Sequence, residues 1–288
     1  LEKSDLSVVR KFLMWYFRYP PYNPYVDISF TVDFSESLKY LESIQQPDRP
    51  RISIQHFITA VIGRVYKAFP QANACVIGKK IFRFPHVGVV IPVDKTSSED
   101  RSTPGGEEVG AVLIEKAEER SLWEIAESTR KKVRKETGNA PKKSVLQKLM
   151  PYTRYVPQVV LSGALGIGDR LMKNHKFFKK VHSAFPITVV VSNVGAILPK
   201  HNRIRMQSAS FTPPSRFLHL GTFLGILPIQ DEIILEDGKA VARPVLPIAF
   251  IFDHRLFDGV MCGRIVAMMT DIFQNPAETF GEFGERKG

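Results

Sequence analysis

Two short stretches close apolar runs with polar residues, and the first of them carries residues able to do acid–base chemistry. Asp253-His254-Arg255-Leu256-Phe257-Asp258-Gly259 places a histidine where an apolar run, Leu246 to Phe252, gives way to a glycine-bearing turn. A neutral imidazole held there can take a proton from a thiol, an amine or a hydroxyl at physiological pH. Asp258, four residues on, is placed to anchor the turn through a cation. As a bare pattern, His-x3-Asp-Gly also fits a surface loop with a satisfied histidine. The second stretch, Ser192-Asn193-Val194-Gly195, closes the β-branched run Ile187 to Val191. Taken alone, its serine fits a strand-end cap.

The elements that must position these stretches mix strands and helices without strict alternation. That predicts an α+β fold, layered, with a mixed central sheet and flanking helices. Val26 to Phe34 alternates apolar and polar residues, as a half-buried strand does. Ser35 to Ile44 fits a helix. Ser53 to Phe69 repeats apolar residues at helical spacing through Phe57, Ile58, Val61, Ile62, Val65 and Tyr66, and Pro70 stops it. Lys80 to Arg83, Val87 to Val93 and Val109 to Ile114 are dense in β-formers, with a polar loop at Ser97 to Glu108. Ser121 to Lys135 predicts a helix opened by a capping box, Ser121 with Glu124. Phe217 to Ile226 and Ile233 to Leu235 predict strands, with a hairpin turn at Glu236-Asp237-Gly238-Lys239. Gly259 to Phe273 predicts a closing helix. Near the start, Leu6 to Phe17 predicts a helix that Pro20, Pro21 and Pro24 cannot continue.

One segment sits outside this scheme. Pro141 to Phe185 is basic and apolar by turns, and Val159 to Met172 is apolar except for Ser162, Asp169 and Arg170. Two readings are open. The segment is a helical hairpin packed on the core, or a surface-lying apolar helix beside Lys173, Lys176, Lys179 and Lys180 that touches lipid or a partner.

Apolar residues make up 44% of the 288, enough for a sizeable core. The net charge of +11 predicts attraction to an anion: nucleic acid, a membrane surface or a phosphorylated cofactor. Its plain alternative is a solvated basic surface. The basic residues are scattered rather than paired with aromatic stacking platforms, which argues against a nucleic-acid binder. The two cysteines, Cys75 and Cys262, stand in no CxxC or Cys/His pattern, so neither a disulfide framework nor a metal site is expected. A reducing, cytoplasmic setting fits. Lys11 and Arg18 interrupt the apolar N-terminal run, so no signal peptide is expected. No apolar stretch is long enough to span a bilayer.

Taken in order, these motifs resemble the catalytic domain of the dihydrolipoamide acyltransferases of 2-oxoacid dehydrogenase complexes, which shares a superfamily with chloramphenicol acetyltransferase. That family's Asp-His-Arg, two apolar residues, Asp-Gly and a helix ending in Asn-Pro match residues 253–259 and Asn275-Pro276. Its Ser-Asn-Leu-Gly matches Ser192 to Gly195, and its Phe-Pro-x-x-Asn-Ala matches Phe69 to Ala74. Val87-Gly88-Val89, Gly110-Ala111-Val112 and Ser121 to Ala126 are similar to it as well. The resemblance covers most of the chain.

It implies a chloramphenicol acetyltransferase-like layered fold over 1–288 as a single catalytic domain, with a helical insertion at about 141–185. It implies a general base, His254, that deprotonates a thiol or other small nucleophile for attack on an acyl-CoA. Ser192 would donate to the tetrahedral oxyanion, and Asn193 would support its turn. Asp258 would pair with an N-terminal arginine, best matched by Arg10, with Asp253 and Gly259 supporting the motif. The family builds its site between subunits of a trimer, so a homotrimer or a multiple of trimers is implied. A lipoyl or other acyl-carrier partner is implied too. Coenzyme A would enter as substrate, its phosphates met by residues such as Arg203, Arg205 and the Lys173 to Lys180 cluster. No metal and no lipoyl attachment site is expected in this chain. Pro141 to Phe185 and Leu198 to Pro214 are longer than the family's connections, which leaves the acceptor open. A non-catalytic trimeric scaffold and a membrane-associated acyltransferase are the alternatives.

Overall fold

The computed structural model describes residues 24–77, 80–94, 109–137, 157–196, 205–211, 213, 217 and 219–288. Seven strands form one mixed sheet. They are β1 (Tyr25–Asp33), β4 (Val89–Asp94), β5 (Val109–Ile114), β6 (Val189–Asn193), β7 (Thr222–Ile226), β8 (Gln230–Glu236) and β9 (Lys239–Asp253). The order is β1-β9-β7-β6-β4-β5, with β8 paired to the first half of β9. Contacts β4–β6 and β6–β7 are parallel and the others antiparallel. β2 (Ala74–Ile77) and β3 (Lys80–Arg83) form a separate two-stranded ribbon.

The helices are α1 (Ser35–Ser43), α2 (Ile54–Ala68), α3 (Leu122–Thr137), α4 (Gln158–Met172), α5 (His175–Ala184), α6 (Gly259–Gln274) and α7 (Pro276–Phe280). Strand faces explain the main core. Val189, Val191, Leu224, Ile226, Leu246, Ile248, Phe250 and Phe252 recur at period two and turn one sheet face onto α1, α2 and α6. Phe57 of α2 meets Phe34, Phe273 and Phe280 there, with ring centroids 5.9, 6.0 and 5.5 Å away. The other face carries a small cluster, Leu220, Phe223 and Ile251, with Tyr25 and Val190 against it.

Caps fall where the side chains demand them. Ser121 and Glu124 form the expected box, N–H to carboxylate at 2.9 Å and N–H to hydroxyl at 3.2 Å. α2 has a second box that the sequence hid: its reciprocal acceptor is His56 Nδ1, 3.1 Å from Ser53 N, in place of the usual Glu or Gln. The β8–β9 turn is as expected, with Asp237 at φ 49° and Gly238 at φ 74°.

Three expectations change. β7 begins at Thr222, not Phe217, because Phe217 takes a left-handed φ of 60° and cannot continue a strand. β8 and β9 are longer than their apolar runs, since the exposed hairpin is held by its ladder rather than by burial. The described part of the 141–185 segment forms two helices that pack only in part. Phe178 of α5 and Met172 of α4 do pack, on a satellite cluster with Cys75 and Ile77 of the β2–β3 ribbon. Phe178 also brackets His182 and His219 at 5.8 and 5.6 Å. Of α4, however, only Asp169 is buried, where it accepts the Phe217 N–H at 3.1 Å. Residues 141–156 of the segment lie outside the described residues, as do the Leu6 to Phe17 stretch and the Ser97 to Glu108 loop.

Candidate active site

β9 is a central strand, hydrogen-bonded on both sides over its last turnless stretch. Its final residue, Asp253, is 2% exposed and donates its N–H to the Gly221 carbonyl at 2.8 Å. A buried carboxylate needs a cation. Arg255 supplies one by folding back two residues, with Nη2 2.6 Å from Oδ2 and Nε 2.9 Å from Oδ1. Its backbone N–H adds a third bond at 3.0 Å. These hydrogen bonds raise the Arg255 guanidinium above its ordinary value. The turn is thereby locked, and His254 projects from it exposed. The His254 N–H is tied to the Pro24 carbonyl at 2.9 Å, and its ring stacks on Phe252 at 6.2 Å.

Tyr25, paired in register with Asp253, lies beneath the turn and donates to the Leu220 carbonyl at 2.8 Å. Burial, with the Asp253 carboxylate nearby, pushes its phenol well above the usual range. Gly221 is demanded by the same turn. A Cβ there would stand 2.3 Å from Leu256 Cδ1 and 2.5 Å from the Ala74 carbonyl oxygen.

Asp258 is the N-cap of α6 and accepts the Met261 N–H at 2.9 Å. Among the described residues it makes no ion pair, and Arg10 lies outside them. Gly259 opens the helix with ordinary backbone angles, and a Cβ there would meet nothing within 4 Å.

Ser192 and Asn193 end β6, half-buried. The preceding carbonyl, Val191, accepts from Gln55 Nε2 of α2 at 2.9 Å, which fixes the strand end against the core. Neither the Ser192 hydroxyl nor the His254 ring is engaged in a hydrogen bond among the described residues. The fold does not bring these two residues together within one protomer. Ser192 shares a row with Gly225, and Gly225 with Ala249, five residues before His254 on β9. At about 3.3 Å per residue and about 4.8 Å per strand, that is roughly 19 Å.

Tyr25, Gly221 and the role of Arg255 escape a reading of the sequence, because each depends on a partner distant in the chain or on a turn. Only Arg255 left a trace, as a cation two residues from an aspartate that ends an apolar strand. Among the described residues, His86, Glu118 and Glu119 gather atoms within 4.8 Å that could hold a metal ion. Glu118 already accepts from Val87 N at 3.0 Å and lies 2.9 Å from His86 Nδ1, so its own hydrogen bonds account for the group.

The fold is that of dihydrolipoamide acetyltransferase catalytic cores and of chloramphenicol acetyltransferase. A probable dihydrolipoamide acetyltransferase from Listeria monocytogenes superposes with a TM-score of 0.63 at 14% identity, covering 95% of this chain and 94% of that one. The cubic core of a pyruvate dehydrogenase multienzyme complex gives 0.63 at 15%, covering 96% and 93%. Chloramphenicol acetyltransferase gives 0.51 at 12%, covering 91% and 93%. By sequence, the chain is 20% identical over 250 residues to the lipoamide acyltransferase component of the branched-chain alpha-keto acid dehydrogenase complex of Bacillus subtilis. That match covers 87% of this chain and 45% of the relative, so the chain spans about half the relative's length. No family model matches the chain.

Proposed function

We propose that this chain is a coenzyme A-dependent acyltransferase that moves an acyl group between coenzyme A and a thiol, of lipoyl type or another small nucleophile. The observation that carries the proposal is the locked turn. The buried Asp253 carboxylate, gripped by a half-exposed Arg255, holds an exposed, unengaged His254 at the end of the central strand. Such an imidazole takes the proton from the acceptor thiol as sulfur attacks the thioester carbonyl. The tetrahedral oxyanion accepts a hydrogen bond from the Ser192 hydroxyl. Collapse breaks the bond to the coenzyme A sulfur, and the imidazolium returns its proton to that leaving thiolate. Asp258 acts through helix α6, by capping it, and Asn193 by supporting the Ser192 turn.

The separation of Ser192 from His254 within a protomer argues that a neighbour supplies the serine. The working unit is then a trimer or a multiple of trimers, with the chain as one catalytic domain. The relatives' names supply the acceptor class, a lipoyl group. Exposed basic residues such as Arg205 are available to the coenzyme A phosphates.

The test is coenzyme A thiol release from acetyl-CoA and from longer acyl-CoA, with dihydrolipoamide as acceptor. Wild-type protein is expected to exceed His254→Ala by at least about 100-fold. Equal, background-level rates in the two would instead mark a scaffold without activity.

A further inference from the structure

Helix α4 is apolar on both sides, and only one side is used. Leu161, Leu165, Gly168 and Met172 turn inward, where a Cβ on Gly168 would stand 3.1 Å from the Phe217 ring. The opposite arc carries Val159, Val160, Ile167 and Leu171, which are 82, 59, 66 and 46% exposed, together with the exposed Arg170. Large apolar side chains exposed opposite a helix's packed side suit an apolar boundary better than water. α5 has its own outward arc, and that one is cationic. Lys176, Lys179 and Lys180 are exposed, with Lys173 in the link between the helices. Phe177 and Phe185 flank the lysines, 39 and 65% exposed. Met172 and Phe178 anchor both helices on one satellite cluster, so both outward arcs face away from it.

From this pairing we infer that the α4–α5 hairpin is an interfacial membrane anchor that docks on an anionic bilayer surface. The apolar arc of α4 enters the acyl boundary and the lysines meet lipid phosphates, the arrangement expected of surface-lying amphipathic helices. Charge decides between occupants. The exposed charged residues of the hairpin are Arg170, Lys173, Lys176, Lys179 and Lys180, with no exposed carboxylate among them, a balance that an anionic lipid surface neutralises. No helix among the described residues is long and apolar enough to cross a membrane, so the hairpin lies on the bilayer rather than spanning it. The inference does not rest on the proposed activity.

The experiment is co-sedimentation of the full chain with phosphatidylcholine vesicles, with and without phosphatidylserine. Wild-type protein is expected on the phosphatidylserine vesicles alone, with release at high salt. Val160→Glu/Ile167→Glu is expected to abolish binding, while melting temperature and thiol release stay at wild-type levels. Lys176→Gln/Lys179→Gln/Lys180→Gln is expected to weaken binding roughly 100-fold. His254→Ala is expected to bind as wild type does, which separates this result from failure of the proposed activity. Three outcomes would overturn the inference. They are wild-type protein staying in the supernatant, undiminished binding by the glutamate variant, and salt-insensitive self-association that the glutamate variant removes, which would make a second copy the occupant.

Discussion

Ser192 and His254 lie in one sheet yet roughly 19 Å apart, because β6 and β9 run in opposite directions and each residue stands at its own strand's end. No side-chain rotation closes that distance, so the proposed chemistry requires the two residues to come from two copies of the chain. Mixed assemblies test this. His254→Ala and Ser192→Ala are each expected to lose activity, the serine variant by about 100- to 1000-fold. Co-assembled from a common unfolded pool, the two should regain part of the wild-type rate, since some interfaces pair an intact serine with an intact histidine. A mixture no more active than its parents would mean the two residues do not share a site.

Arg255 is expected to matter for stability before it matters for catalysis. Asp253 is 2% exposed and spends its carboxylate on Arg255. Arg255→Ala leaves that carboxylate without its cation, a loss of about 1–3 kcal/mol because the half-exposed arginine is partly screened by water. Arg255→Lys should recover only part of it, because an ammonium cannot reproduce the two-pronged contact. Denaturant midpoints of the three proteins decide the matter. Equal midpoints would mean that Asp253 finds another partner.

Gly221→Ala tests whether the histidine turn is positioned from β7. The added methyl has to displace Leu256 and meets the Ala74 carbonyl oxygen, which belongs to the backbone and cannot swing aside. The shift falls two residues from His254. Activity is expected to fall at least tenfold with acyl-CoA affinity little changed, as a misplacement of about 1 Å can do. Gly263→Ala, on α6 with open space around it, should be silent.

The sequence showed the histidine turn, the serine strand end and most elements, because each rests on local signals: an apolar run, a cap, a hairpin pair. The apolar signal for β9 begins only at Leu246, since the strand's first half is half-exposed and polar residues interrupt it. The second capping box stayed hidden because His56 is not the expected acceptor. The distance between Ser192 and His254 could not be read at all. It follows from sheet register, which pairs residues 192, 225 and 249 and is decided by packing across the whole sheet. The apolar composition of α4 was plain, but which arc it buries depends on Phe217, Asp169 and the β2–β3 ribbon.

His56 gives a pH signature of folding that is independent of the active site. Burial lowers its pKa from 6.5 to about 4, and its neutral Nδ1 accepts the Ser53 N–H that opens α2. The folded state therefore binds this proton less readily than the unfolded chain. Above about pH 6.5 both states are neutral and the group leaves stability unchanged. As pH falls from 6.5 towards 4, the unfolded chain takes up the proton first, and stability declines by about 2–3 kcal/mol in total. His56→Gln keeps an acceptor at this capping position and removes the titration. The variant should match the wild type at neutral pH and exceed it near pH 4.5, when unfolding is followed by denaturant at several pH values. Parallel stability–pH curves for the two proteins would show that His56 is not the group that titrates.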